Sequence, residues 1–173
     1  MTERKPVYKI QENFLNKNDF KKIKDVMTNS GSFPWYYSQI IGAKYKSNIY
    51  FSYFIHTFYD NNSITSPYIK LIEPFLKKLK VKKLIRAKVN LFYPTNRIIK
   101  FDEHQDTNYK SDAAILYLND CNGGTIIKKD NFIQSKENRL LKFKGNLLHQ
   151  STSCSDDKYR ILININYEKY NRL

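Results

Sequence analysis

The chain has 173 residues, 41% hydrophobic and 15% aromatic, enough to bury one core of ordinary domain size and too many for a disordered chain. Five glycines, five prolines and two cysteines, Cys121 and Cys154, exclude collagen-like and low-complexity classes, a disulfide framework and a four-cysteine zinc site. Thirty Lys and Arg against sixteen Asp and Glu leave a net charge of +14. That charge fits either attraction to a polyanion or a low-GC genome, whose codons favour Lys, Asn, Ile and Tyr.

In chain order, Val7-Tyr-Lys-Ile10 reads as a short strand. Asn18 is the expected cap of a helix running to about Asn29, with Phe20, Ile23, Val26 and Met27 at helical spacing and Ser30-Gly31-Ser32 ending it. Ser66-Pro67 predicts a second helix to about Lys80, because a capping serine precedes a proline at the first helical position. Ile69, Ile72, Phe75, Leu76 and Leu79 form its apolar stripe, with Pro74 expected to kink it. The dense basic run of the chain, from Lys77 to Lys83, falls at this helix's end; its Leu79 and Val81, with the following Leu84, are expected to face the core.

From Lys83 onward the texture changes. Segments rich in branched and aromatic residues run from Lys83 to Tyr93, Asp112 to Leu118, Thr125 to Lys129, Arg139 to Phe143 and Tyr159 to Tyr167. Turn signals separate them, among them Pro94-Thr-Asn96, Asp120-Cys-Asn-Gly-Gly124 and Lys144-Gly-Asn146. Short strands with tight turns imply antiparallel pairing in a sandwich or barrel. With no repeat or linker, one domain over 1–173 is expected, 1–82 supporting a β core over 83–170. No apolar run approaches the roughly 20 residues of a membrane span. The first residues, Met1 to Pro6, lack the apolar stretch of a secretory signal, so the expected location is cytoplasmic.

His104-Gln-Asp106 sets an imidazole and a carboxylate two residues apart, on one side of an extended segment, where one metal can take both. His149 lies far enough downstream to come from another strand. Two histidines and a carboxylate form the facial triad of non-haem Fe(II) sites, although His-x-Asp alone is common and a lone histidine is often structural. Arg160 then heads a strand in which Ile161, Ile163 and Ile165 make one face and Arg160, Leu162, Asn164 and Asn166 the other. The polar face either meets water or turns inward to hold an anion, a role that suits the planar, permanently charged guanidinium.

The stretch from Arg86 to Tyr167 resembles the double-stranded β-helix core of 2-oxoglutarate/Fe(II)-dependent dioxygenases, in particular the prolyl-4-hydroxylase-like branch, a type common among small enzymes of viruses and bacteria; the low-GC texture would suit a phage or marine bacterium. Val89-Asn-Leu-Phe-Tyr-Pro94 is similar to the branch's strand ending in Tyr-Pro, and His104-Gln-Asp106 to its H-x-D. Ile115-Leu-Tyr-Leu-Asn119, Asn122-Gly-Gly-Thr125, Asn138-Arg-Leu-Leu-Lys-Phe143, His149 and Tyr159-Arg160 follow in the family's order. The resemblance implies a mainly β jelly-roll, cupin-like core with flanking helices. It implies Fe(II) held by His104, Asp106 and His149, and 2-oxoglutarate anchored through Arg160, with Tyr93, Tyr117 and Asn164 as further cosubstrate contacts. Asn166 stands where some relatives carry a large aromatic.

The implied reaction consumes O2 and 2-oxoglutarate, with ascorbate a candidate reductant, releases succinate and CO2, and hydroxylates an unactivated C–H bond. The implied substrate is a protein or peptide side chain, in a bacterial cell or phage-infected host. Candidate rims of its site are Phe33-Pro-Trp-Tyr-Tyr37 and the loop Thr95 to Lys100, the aromatics of the former serving equally well as core anchors. Asp102 and Glu103 are read as solvated loop residues or acceptors for the ligands, and His56 as structural. Three other readings are the same chemistry on a nucleobase or free amino acid, a basic nucleic-acid-binding module without catalysis, and a cupin-like metal barrel without turnover. The module would need a clustered basic face with exposed aromatics.

Overall fold

A computed structural model describes residues 7–39 and 52–170. The chain start that bears on secretion lies outside the described residues. Eleven strands and two α-helices are present among the described residues: β1 Tyr8–Gln11, α1 Lys17–Thr28, β2 Tyr36–Gln39, β3 Ser52–Asp60, β4 Ser63–Ile64, α2 Glu73–Leu79, β5 Val81–Phe92, β6 Asp112–Tyr117, β7 Gly124–Ile127, β8 Asn131–Gln134, β9 Leu140–Lys144, β10 His149–Ser151 and β11 Arg160–Lys169. A 3-10 helix, Pro67–Ile72, precedes α2.

The larger sheet has the order β1-β9-β6-β11-β5-β3-β2, with β4 attached to β3, and the smaller one is β10-β7-β8. Every paired strand is antiparallel. The segment after β5 borders the smaller sheet through single bridges, Lys100 to Thr152 and His104 to His149. The two sheets enclose an apolar interior of Phe92, Phe101, Ile115, Ile127, Leu141 and Phe143. This is the expected jelly roll with flanking helices.

The centre of the larger sheet is β11, and it decides the layering. Ile161, Ile163 and Ile165 are fully buried against Phe20, Ile23 and Met27 of α1 and Phe75 of α2, on the outer side of the sheet. Truncating one of them to Ala would cost about 2–5 kcal/mol through lost burial and the cavity left behind. The alternate residues, Arg160, Leu162, Asn164 and Asn166, point between the sheets and are also buried. The polar face of β11 therefore turns inward.

Three local expectations are corrected. The cap of α1 is Asn16 rather than Asn18, and its side chain accepts from the Asp19 N–H at 2.9 Å. Ser66 caps as expected, accepting from Tyr68 N–H, but it opens the 3-10 helix; Pro74 falls in the first turn of α2 and marks the break between them. The strand expected to reach Lys129 ends at Ile127, because Lys128 and Lys129 take left-handed φ of 50° and 68° and turn the chain into β8. Leu79 is buried and Val81 and Leu84 partly so, as the basic run's pattern suggested.

Candidate metal and anion site

His104 and His149 come from opposite edges of one antiparallel bridge, which brings their rings to 4.5 Å between centroids. Asp106 follows on the same segment, held by its N–H bond to Gly145 O at 2.9 Å. One ligand atom from each of His104, Asp106 and His149 lies within 4.8 Å of the others. His104 Nδ1 meets the Asp102 carbonyl at 3.2 Å and His149 Nδ1 the Leu147 carbonyl at 2.9 Å. A carbonyl only accepts, so each Nδ1 carries the proton and each Nε2 keeps its lone pair, the tautomer a metal requires. The His149 Nε2 is 3.8 Å from Asp106 Oδ2.

Four side chains of the larger sheet's inner face set the charge of this cluster. Arg86 Nη2 donates to Asp106 Oδ1 at 2.9 Å, and Asn166 and Asn164 donate to Oδ2 at 3.1 and 3.4 Å. Lys88 stands nearby with its ammonium 5.9 Å from the Tyr53 ring centroid. Burial pushes the Asp106 carboxyl up, but His149, Arg86, Asn166 and Lys88 outweigh it and the net shift is downward. Burial lowers His149, opposed by Asp106, so it stays neutral at neutral pH. Two imidazole Nε2 atoms and an ionised carboxylate form a donor set that suits a divalent iron. The residues present fit the metal.

A cavity of about 240 Å³ opens on His104, Asp106 and His149 and is lined also by Tyr53, Phe92, Phe101, Thr125 and Ser151. Tyr53, Phe92 and Phe101 stack in sequence, with centroids 5.3 Å apart at each step, and make an apolar wall. Behind Thr125 and Ser151 lies Arg160, with none of its surface exposed. Its Nη1 donates to Ser151 Oγ at 2.6 Å and Thr152 O at 3.0 Å, and its Nη2 to Thr125 Oγ1 at 3.2 Å. The guanidinium sits 5.3 Å from the Phe92 ring centroid and 5.6 Å from that of Tyr117. Its Nε has no partner, and among the described residues no carboxylate pairs with it. A buried cation in this state is costly unless an anion reaches it.

The other expected residues divide. Tyr117 is fully buried and its OH donates to Thr125 Oγ1 at 2.8 Å, so it braces the group that holds Arg160 rather than facing the cavity. Asn164 lines the cavity, its Oδ1 unpartnered. Tyr93 does not reach the site: one residue past Phe92, it falls on the opposite face and packs against Phe54 at 5.3 Å. Neither candidate rim lines the cavity. Phe33 is buried with Trp35 packed on it, while Tyr36 and Tyr37 are each 60% exposed on the edge strand β2. Among Asp102 and Glu103, only the Asp102 backbone carbonyl serves a ligand. His56 is structural as read, joined to Pro34 O at 2.7 Å and Ser66 Oγ at 2.8 Å.

The reading of the sequence missed Arg86, Lys88, Asn90 and Tyr53. The first three were signalled by alternation in Arg86-Ala-Lys-Val-Asn-Leu-Phe92, the counterpart of β11, with which Arg86 pairs at Asn166 and Lys88 at Asn164. The basic run contributes elsewhere: Lys77, Lys78, Lys80 and Lys82 join Lys142 and Lys169 around a second groove of about 1230 Å³, which shares no lining residue with the first.

No protein-family model matches the sequence, and no curated protein matches it either. Solved structures do. An oxidoreductase of the 2OG-Fe(II) oxygenase family from Burkholderia pseudomallei superposes with a TM-score of 0.70 at 10% identity, over 95% of this chain and 86% of that one. The fold is that of the 2-oxoglutarate/Fe(II) oxygenases. The same oxygenase fold is seen in a prolyl hydroxylase from Trichoplax adhaerens, in complex with a hypoxia inducible factor oxygen degradation domain peptide fragment (TM-score 0.62, 12% identity, 95% of this chain and 84% of that one). It is seen again in the epimerase SnoN, in complex with Fe3+, alpha-ketoglutarate and nogalamycin RO (TM-score 0.62, 9% identity, 94% and 79%). No helix among the described residues is long and apolar enough to cross a membrane.

Proposed function

We propose that this chain is an Fe(II)- and 2-oxoglutarate-dependent dioxygenase that hydroxylates an unactivated C–H bond on a protein or peptide side chain, yielding succinate and CO2. The observation that carries the reading is Arg160: a fully buried guanidinium without a carboxylate, one side-chain layer behind a cavity that also bears His104, Asp106 and His149. A metal barrel without turnover has no use for such an anchor, whereas a dicarboxylate cosubstrate has two ends to hold.

In this reading His104 Nε2, Asp106 and His149 Nε2 hold iron, and Arg160 binds the far carboxylate of 2-oxoglutarate. When bound, iron and 2-oxoglutarate supply the oxygen activation and the two reducing electrons. The protein's own residues position and exclude. Arg86 and Asn166 fix the Asp106 carboxylate through hydrogen bonds to its two oxygens. Tyr117 and Thr125 hold the Arg160 fork in plane. The Tyr53, Phe92 and Phe101 stack keeps water from the reacting centre. No general base is assigned, because the C–H step needs none.

A peptide substrate is supported by the likeness to a prolyl hydroxylase that binds one. The basic groove around Lys80 and Lys142 lies apart from the cavity and gives no reason to place a nucleobase in it. The test is succinate formation from 2-oxoglutarate with a library of peptides: wild type forms succinate in an iron-dependent, peptide-stimulated way and Asp106→Ala does not. Equal succinate from Asp106→Ala overturns the ligand assignment.

A further inference from the structure

Charge inside the cavity is not balanced by the proposed cofactors. Iron and 2-oxoglutarate carry equal and opposite charges. Of the three cations Arg86, Lys88 and Arg160, Asp106 neutralises one, the Arg86 partner at 2.9 Å. Two positive charges remain: Arg160, assigned to the far carboxylate of 2-oxoglutarate, and Lys88, which has no anionic partner at the cavity wall. Among the described residues it makes no hydrogen bond or ion pair, and its one aromatic neighbour is the Tyr53 ring, 5.9 Å away. Burial, helped by Arg86 and opposed by Asp106 and Asp60, lowers its pKa to about 8, so it remains mostly protonated at neutral pH.

Two residues along the same face of β5, Asn90 presents a buried Oδ1 with no donor. Buried acceptors without partners are rare in folded proteins and mark a place where a donor arrives. The wall thus offers a free cation beside a free acceptor, both directed into the space next to the ligand cluster. Lys88 acts on Asp106 only through its charge, and among the described residues neither its ammonium nor Asn90 Oδ1 has a hydrogen-bond partner.

We infer that Lys88 receives an anionic group of the substrate, a carboxylate or a phosphate, while Asn90 Oδ1 accepts from a donor beside that group. This rests on the oxygenase reading and narrows it: the substrate is an acidic side chain or other small anion rather than an uncharged one. A carboxylate or phosphate there offsets the Lys88 charge, and its hydrogen bond to the ammonium is of the strong, charge-assisted kind.

The test uses the full chain loaded anaerobically with Fe(II) and saturating 2-oxoglutarate. The metal-to-ligand charge-transfer band reports first whether the cofactor site forms; its absence in wild type overturns the oxygenase reading and this inference with it. With the band present, amidination of Lys88 by methyl acetimidate, whose leaving group is neutral methanol, is followed by peptide mass spectrometry, using Lys77, whose side chain is 81% exposed, as internal reference. Acetate or methyl phosphate is expected to slow Lys88 labelling by about tenfold or more, and acetamide not at all. Stronger protection by acetate assigns a carboxylate substrate, and by methyl phosphate a phosphate ester. Unchanged labelling with both anions, or equal protection by acetamide, overturns the inference while leaving the oxygenase reading intact. Lys88→Met should keep the band at the wild-type 2-oxoglutarate midpoint; loss of the band there makes Lys88 a cosubstrate contact and also overturns it.

Discussion

His104 and His149 face each other across a single antiparallel bridge, each backbone N–H donating to the other's carbonyl at 2.9 and 3.0 Å. Each ring's Nδ1 is tied to the carbonyl two residues before it, Asp102 for one and Leu147 for the other. The backbone therefore sets both the spacing and the tautomer of the two imidazoles before any metal arrives, which is preorganisation in the direct sense. Asp106 is positioned differently, by a converging set of side chains from the opposite sheet.

That difference gives a prediction. Arg86→Met and Asn166→Ala should each weaken Fe(II) binding by about 10–100-fold, the usual cost of losing a group that orients a metal ligand. Anaerobic Fe(II) titration against a competing chelator measures it. Affinities within a factor of two of wild type would show that Asp106 needs no such bracing.

Arg160 should behave as an anchor that the empty fold holds at a cost. Arg160→Met is expected to leave iron binding nearly unchanged and to abolish saturable 2-oxoglutarate binding. The metal-free, cosubstrate-free variant should be no less stable than wild type, since apolar replacement of buried charge is often neutral or stabilising by about 1–4 kcal/mol. Denaturant unfolding of both proteins checks this; a large loss of stability would make Arg160 a structural residue.

Gly123 is where the backbone passes closest to that anchor. A Cβ there would lie 2.3 Å from Ser153 O and 2.9 Å from Arg160 Cδ. The carbonyl cannot yield without moving its strand, so Gly123→Ala should cost about 1–3 kcal/mol and displace the guanidinium. The expected signature is a raised 2-oxoglutarate midpoint with iron affinity preserved. An unchanged midpoint would contradict the packing described.

His56 supplies the pH dependence. Pro34 O can only accept, so Nδ1–H donates to it and Nε2 accepts from Ser66 Oγ–H, a neutral ring held on both sides. Burial lowers its pKa from 6.5, opposed by the Pro34 bond. In the unfolded chain the ring takes up its proton near 6.5, and in the folded protein only at lower pH. Stability is therefore fully present above 6.5 and is lost as pH falls through the window below it. His149 and Asp106 also have lowered values, so the comparison is between wild type and His56→Gln: unfolding free energies from pH 4 to 8 should show a shallower acid decline in the variant. Parallel curves would mean that His56 titrates alike in both states.

What the sequence disclosed follows from period and order. The H-x-D pair, the distal His149 and the alternation of β11 are local patterns, and the structure brings these residues together. Tyr93 failed by one residue of strand parity, since Phe92 rather than Tyr93 pairs with Arg160 and shares its face. The turn at Lys128 and Lys129 was invisible because left-handed conformations there are taken by lysines, not by Gly or Asn. Arg86 and Lys88 were hidden by charge: in a chain with thirty Lys and Arg, these two on a strand look like solvent-facing residues until their register with Asn166 and Asn164 is known.

Fe(II) at His104, Asp106 and His149 and 2-oxoglutarate reaching from there to Arg160 are tested together. The most direct measurement is an anaerobic titration of metal-free protein with Fe(II) and 2-oxoglutarate, following the visible metal-to-ligand charge-transfer band. The account predicts a band that saturates in wild type, is absent in Asp106→Ala, and in Arg160→Ala fails to saturate although Fe(II) still binds. No band in wild type with Fe(II) bound, or an undiminished band in Arg160→Ala, would contradict it.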